Sequence, residues 1–590
     1  STLRAIQSST LNRLFGDRYG LSIFLFILIF LFTIWRTHFF ITDNYTIANT
    51  LVSASDGHLW VDPIVYGPQS GDQPGMHIVN GRLYGRNYGL VFLSLPWLWI
   101  LELLAFIIDP RVVIAAAWSL CIVLFSRQFG RFIDREGALT VVGCSVALLA
   151  MASNIVFATE LSRDRFPIMA LQLTTMVSVG FVGVLGYRVT KWFYSKRTAI
   201  VIGLSLVFGT PLPFWGVVPK RHAITAAIIL LIIYAFVNSR KGNLRSIRRY
   251  RALSYIAIGG LAWIHAAEAL ALLIVLTPID YLTAPSNRPR DILFISLMFG
   301  ISLTPFFLTN ILISGNPIQP PRLLPSYFGG NLSTAGSVSN NPVQSNGDGG
   351  LGLLMTISNS IYFAINQLFG FLFEGFTVLI RHPDRLVRTF LRSGWLESAK
   401  QHYEPAINLT VLESAPILGV IAALPMALKR FVRGAVSSQF QIRDWTIPRQ
   451  TDLLIVSIIG VFIMVYLPRL PLYAQVTVRY LVPIIPLLVI AGSRIRFVFE
   501  TIDDNFHLVA WSYSIATLVG GQLLAVIVLS LDPTLGEAVQ FHGLLGIGLA
   551  TILAIWALSR DLIQEYHEFA GAMLLGTGGA LSTVFVIMAS

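Results

Sequence analysis

Residues 21–40 read LSIFLFILIFLFTIWRTHFF, and their interpretation decides the fold. The run has the ~20 predominantly apolar residues that one helical crossing of a bilayer needs. It is too long for the apolar core of a removable signal peptide and ends without a small-residue cleavage site, so the expectation is a first membrane helix. Comparable runs recur along the chain. Its 590 residues are 55% hydrophobic and only 12% charged, and the mean hydropathy is +0.69. The expected fold is therefore an all-α polytopic membrane protein with about 13–15 transmembrane helices and a long first external loop.

The net charge of +12 would suggest nucleic acid in a soluble protein. Here Lys and Arg stand in short clusters between apolar runs, as cytoplasmic loops of membrane proteins do, so the basic balance reports topology and no nucleic-acid partner is expected. Cys121 and Cys144 both fall inside apolar runs, which indicates neither a disulfide framework nor a cysteine metal site.

Working outward, Arg4, Arg13 and Arg18 precede the first run and predict a cytoplasmic N-terminus, with residues 41–90 outside. Residues 89–108 are apolar enough to span. Counting them as a crossing, however, would put Arg127, Arg131 and Arg135 outside, so they are expected to lie on the outer face as an interfacial or re-entrant segment broken by Pro96. A tight pair of ordinary crossings is the alternative. Residues 253–282 are too long for one helix and carry Trp263-Ile264-His265-Ala266-Ala267-Glu268 at their middle, which predicts a hairpin with His265 and Glu268 at its external turn. Residues 314–408 form a long external segment. Its Gly/Ser/Asn-rich stretch cannot bury a core, and its interrupted apolar run 351–380 suits the interface plane. The charge rule gives about fifteen helices in all. The division expected is 1–313 as a catalytic transmembrane module containing loop 41–90, 314–410 as an external loop with interfacial helices, and 411–590 as C-terminal transmembrane helices. Sequons at Asn44, Asn331 and Asn408 all fall on the predicted external side.

Under this topology Asp43, Asp72, Arg82, Arg86, Glu160, Asp164, Lys220, Arg221, His222, His265, Glu268 and Arg479 collect on one face. Ionisable groups near apolar crossings cost a few kcal/mol unless paired or solvated, so both signs together predict a polar cavity for an anionic, lipid-linked substrate. Lys220, Arg221 and Arg479 suit phosphate, Arg by a bidentate fork and Lys as a point charge. Asp43 stands where a helix emerges and could accept an acceptor hydroxyl's proton, although position alone does not choose it over Asp72. The histidines are too scattered to specify a metal site, and no HExxH or Walker A pattern occurs. No cofactor is indicated with certainty; a divalent metal bridging Asp43, Asp164 or His222 is conceivable without being specified.

Three segments in order carry a family resemblance. Asn80-Gly81-Arg82-Leu83-Tyr84 with the following YGLVFLSLP (88–96), TNILISGNP (309–317) and RYLVPIIP (479–486) resemble, respectively, the "NGHYYSDKAPGLSFLALP", "YN...FGNP" and "GPRYLLPLLP" segments of a prokaryotic group of GT-C-type membrane glycosyltransferases. The matches cover roughly residues 20–490. The superfamily, which includes protein mannosyltransferases and aminoarabinose transferases, moves a sugar from a polyprenyl (dolichyl) phosphate carrier to a lipid, glycan or protein acceptor on the extracytoplasmic face of the cell membrane. The resemblance implies Asp43 as general base and Asp164 as a second acidic site residue; Arg82 and Arg86 are further candidates for binding the donor phosphate. The chain departs from the group at Arg86-Asn87, where an acidic residue and a lysine are usual, and at His265-Ala266-Ala267-Glu268, which replaces a basic turn. The function implied is inverting glycosyl transfer in the plasma membrane. A transporter or flippase for a lipid-linked or anionic solute, or a non-catalytic relative in envelope assembly, is the alternative.

Overall fold

The computed structural model describes residues 11–157, 161–327, 350–392, 408–425, 442–470, 476–560 and 567–589. It is an all-α multi-pass membrane protein. Ten helices are long and apolar enough to cross a bilayer, eleven if a pair bent by 83° at residues 494–495 is one span. Strand is confined, among the described residues, to two short pairs.

Helix α1 (Arg18–Ile34) starts where the Asp17 carboxylate accepts from the backbone N–H groups of Tyr19 and Gly20, a side-chain N-cap. Its far end opens into α2 (Asp43–Ser55) and a hairpin of β1 (His77–Val79) and β2 (Arg82–Tyr84). The hairpin is closed by Asn80-Gly81, both at positive φ (50° and 73°), as a two-residue type I′ turn requires. These elements define one end of the bundle, here the Asp43 end.

Helix α3 (Tyr88–Ala105) follows, with Pro96 inside it. It is long and apolar enough to span, yet it starts and finishes at the same end. Tyr88 Oη donates to Leu59 O in the loop after α2, and Phe106, just past its last residue, lies under Arg163 at the mouth of the next descending helix. Helix α4 (Pro110–Phe132) then runs antiparallel to α1, pairing Trp118 with Ile29, Phe125 with Phe26 and Phe132 with Tyr19. The segment beginning at Gly89 thus lies along the Asp43 end, and the tight pair of crossings does not form.

After α5 (Glu136–Phe157), α6 (Phe166–Thr190) is the central element, packed against α1, α3, α7 (Lys196–Phe208), α8 (Leu212–Val217) and α9 (His222–Asn238). Gly183 and Gly203 let α6 and α7 approach so closely that a Cβ on Gly203 would sit 3.0 Å from Gly183 O, the small-residue crossing usual where no hydrophobic effect drives helices together. The apolar run 199–218 is interrupted at Gly209-Thr210-Pro211.

Helix α10 (Leu244–Thr283) is continuous except at His265, whose backbone (φ −155°, ψ 95°) is not helical. A straight helix would separate Arg251 and Asp280 by ~43 Å, but Arg251 Nε lies 3.0 Å from Asp280 Oδ2. The element is therefore the predicted hairpin, two antiparallel arms turning at His265. Helices α11 (Pro289–Ser302) and α12 (Thr304–Ser314) return to the Asp43 end. The chain beyond them packs on the hairpin, with Ile78 N donating to Pro325 O at 3.1 Å and Tyr327 N to Met76 O at 3.0 Å. α13 (Gly350–Arg381) follows and packs on α14 (Ile447–Tyr466).

Among the described residues the ten helices of spanning length and composition, eleven with the bent pair, are fewer than the about fifteen that the charge rule gives. Further apolar segments, among them 18–34, 196–218, 222–238 and 411–425, are shorter or interrupted. Several fall short of a standard span because they contain 3₁₀ turns, as at Pro416–Ala423 and Arg479–Ile484, whose greater rise per residue lets fewer residues cover the distance. The 506–531 segment has no buried residue in its most apolar window, a surface suited to lipid.

Candidate functional site

The site is assembled by buried amides. Asn44 donates through Nδ2 to Pro219 O (3.1 Å) and accepts from Ile41 N (3.2 Å), pinning the start of α2 to the 219–221 turn. Gln172 of α6 donates to Val217 O (2.7 Å) and Arg36 O (2.8 Å) and accepts from Trp35 Nε1, fixing the same turn to the end of α1. Asn49 accepts from Val65 N and Tyr66 N and donates to Tyr66 O, all at 2.9 Å, holding the loop against α2. Because Asn44 is fully buried, its sequon serves this packing. Asn331 lies outside the described residues.

These constraints place Lys220 and Arg86 on the first residue of α2. Lys220 Nζ and Arg86 Nη2 both contact Asp43 Oδ2, the latter at 2.8 Å. Arg86 is held from behind by Gly75 (φ 92°), where a Cβ would lie 2.5 Å from Arg86 Nε. Burial by itself would raise the Asp43 carboxyl, but Lys220 and Arg86, with Arg479 beyond them, hold it well below the usual carboxylate range. Burial, opposed by Asp43 and reinforced by Arg86 and Arg479, brings the Lys220 ammonium down to about 7.

A second cluster adjoins the first through the Lys220-Arg221 peptide. Glu268, at the turn of α10, accepts from Arg221 Nε (3.2 Å), Thr225 Oγ1 (2.9 Å) and Tyr466 Oη (2.5 Å). Tyr480 stacks on Tyr466 at 5.1 Å, and His222 meets Tyr480 edge-on. Arg322 Nη1 lies 2.5 Å from His265 Nε2. The other ring nitrogen of His265, Nδ1, accepts from the backbone N–H of Glu268 at 3.3 Å and lies 3.8 Å from Glu268 Oε1, so the ring stands between the Arg322 guanidinium and the start of the second arm of α10.

Three buried cations (Lys220, Arg221 and Arg479), the half-buried Arg86 and the exposed Arg322 thus share one region with two carboxylates, Asp43 and Glu268. Like charges gathered out of water are costly without a counter-ion. One donor, Arg221 Nη2, is buried without a hydrogen-bond partner. Beside this region a cavity of about 390 Å³ runs between α10, α12 and α13. Arg86, His265 and Arg322, with Asn87, Thr309 and Asn310, contribute its polar lining; the rest is mostly apolar, including Ile258, Leu273, Phe306 and Leu368. Its shape suits an apolar chain with an anionic head.

Not every expected residue joins this group. Asp72 is exposed, with its backbone N–H reaching Ser70 Oγ. Arg82 is exposed over the Trp60 ring at 4.3 Å. Asp164 turns its carboxylate to the Ser162 hydroxyl while its backbone oxygen accepts from Tyr66 Oη at 2.5 Å, so it ties the loop to the mouth of α6 without reaching Asp43. Glu160 lies outside the described residues. Among the described residues no group of three or more His, Cys, Asp or Glu side chains gathers to hold a metal, and Asp43 already carries two cations. Arg322, Thr225, Tyr466 and Asn44 are the members that sequence reasoning missed.

Fold and site together define a multi-pass membrane protein with a buried cationic pocket at one end of its bundle. No protein-family model matches the chain, and no curated protein or solved structure is significantly similar to it.

Proposed function

We propose that the protein is a membrane glycosyltransferase of GT-C type that takes a sugar from a polyprenyl (dolichyl) phosphate carrier and passes it to a lipid, glycan or protein acceptor at the extracytoplasmic face. The observation that carries this reading is the Asp43 carboxylate, set among buried cations next to an apolar cavity whose polar end is Arg86, His265 and Arg322. The opposite end bears the clusters around Lys191, Lys196, Arg240 to Arg251 and Arg494, so the charge rule places that end in the cytoplasm and Asp43 outside.

In the proposed reaction an acceptor hydroxyl oxygen bonds to the anomeric carbon from the face opposite the phosphate. The bond from that carbon to the phosphate oxygen breaks, its electron pair leaves with polyprenyl phosphate, and the hydroxyl proton passes to Asp43. Inversion at the anomeric centre follows. Arg86 and Lys220 would stabilise the departing phosphate. An anion bound to them also draws their charge away from Asp43, which raises its basicity when donor is present. Arg221, held by Glu268, and Arg479 would complete the phosphate-binding field.

A donor panel tests this. Purified protein in lipid nanodiscs, given radiolabelled polyprenyl-phosphate mannose, glucose, arabinose or aminoarabinose with membrane extract as acceptor, should release polyprenyl phosphate from at least one. The second reading, a transporter or flippase, draws on the buried Glu268–Arg221 pair at the turn of α10, since ionisable groups within helices mark transport paths. Movement of an intact fluorescent polyprenyl-phosphate sugar across proteoliposomes, with no bond cleaved, would select it over transfer.

A further inference from the structure

A larger cavity, of about 850 Å³, lies away from Asp43, between α6, α9, the first arm of α10 and Leu93 of α3. Its walls are Leu93, Phe181, Leu185, Ile224, Ile228 and Leu231, and its mouth, at the basic end of the bundle, carries Arg13, Arg188, Tyr234 and Tyr250. On α9 the lining runs from Ile224 to Tyr234, ten residues or ~15 Å. That is half of the ~30 Å hydrocarbon core of a bilayer, the reach of an acyl chain in one leaflet. Leu93 is 48% exposed here, an apolar side chain facing empty space.

The mouth is cationic without a compensating acid. Arg188 donates through Nη1 to Arg13 O and Leu14 O, both at 3.0 Å, and lies with its guanidinium 4.2 Å over the Tyr234 ring, with Nη2 on the Tyr234 hydroxyl. All of these partners are neutral. Among the described residues neither Arg188 nor Arg13 has a carboxylate within ion-pair distance, and the nearby Asp17 is taken by Lys191 and Tyr187. A positive charge ordered by neutral groups at the top of an apolar slot is complementary to a lipid whose head is negative.

We infer that this cleft is a binding site for an anionic glycerophospholipid of the leaflet at the basic end, one acyl chain lying between α6 and α9 and the phosphate head meeting Arg188 and Arg13. The site is separate from the Asp43 pocket, and the inference does not rest on the transferase reading.

Native mass spectrometry of the full chain, released from nanodiscs of mixed phosphatidylglycerol and phosphatidylcholine, tests it. Wild type should retain phosphatidylglycerol in preference to phosphatidylcholine. Ala227→Trp, which fills the slot, should abolish that preference, and Arg188→Gln should weaken it about fivefold while Arg188→Lys largely restores it. Gel filtration and thermal melts show which variants remain folded, and Ala227→Trp touches none of the Arg188 contacts should Arg188→Gln fail. Equal retention of the two lipids by wild type, or unchanged phosphatidylglycerol retention in folded Ala227→Trp, overturns the proposal. Loss of a dimer in place of lipid in Ala227→Trp would put a second copy of the chain in the cleft and overturn it as well.

Discussion

Lys220 is the residue whose environment makes the sharpest demand. Its side chain is 4% exposed, on Asp43 and close to Arg86, and its pKa is lowered to about 7 from the usual 10.4 or so. The folded protein therefore holds this proton less tightly than the unfolded chain does. Unfolding takes up a proton between about pH 7 and ~10.4, and stability rises with pH across that window; below pH 7 the full cost of the buried ammonium applies. Thermal melts from pH 6.5 to 9.5 should show a rise in wild type that Lys220→Met lacks, and equal slopes would show that Lys220 titrates normally. Asp43 has the opposite linkage: its depressed carboxyl adds stability that is present above its unfolded value near ~3.9 and lost as pH falls toward its folded pKa. Reading single residues from sequence had a physical limit here. Lys220, Arg221 and Arg479 could be nominated because basic residues on the charge-poor face are anomalous. Arg322 could not, since its partner His265 is 57 residues away and its proline-flanked setting looks like any loop. Arg82 and Asp72 shared the same stretch as Asp43 but turn to solvent, which composition does not reveal.

At the scale of elements, the turn of α10 organises the site, and α3 locks it. A Cβ on Gly89 would lie 2.6 Å from the Ile264 side chain and 2.9 Å from backbone atoms of residues 263 and 264, so α3 meets the turn with no room for a side chain at this position. Gly89→Val should lower stability by ~1–3 kcal/mol through overpacking, read as a fall in melting temperature; an unchanged melt would mean that this crossing is loose. The α10 hairpin and the non-crossing α3 were legible because charge position constrains topology: Arg127 to Arg135 must share a side with the other basic clusters. The break in α7–α8 was not, because Gly209-Thr210-Pro211 sits inside an unbroken apolar run. The Asn80-Gly81 turn carried a readable hairpin signal, both residues tolerating positive φ.

Over the whole molecule, the two ends of the bundle are chemically distinct. With Cys121 and Cys144 replaced by Ser, single cysteines at Gly57 and at Asp109 should react with an impermeant maleimide from the same side of intact cells or oriented vesicles, and one at Lys241 only from the other. Labelling of Gly57 and Asp109 from opposite sides would make α3 a crossing and reverse every later segment. The ends differ in what they gather: clusters that read as topology signals at one, and at the other five cations, three of them buried, with two carboxylates beside an apolar cavity. The central claim is that Asp43 is the base in transfer from a polyprenyl-phosphate sugar, and one comparison tests it most directly. With the donor that wild type uses, Asp43→Asn in nanodiscs should still bind labelled polyprenyl-phosphate sugar while transfer falls by ~10²-fold or more. Transfer at the wild-type rate by a folded Asp43→Asn protein would contradict it.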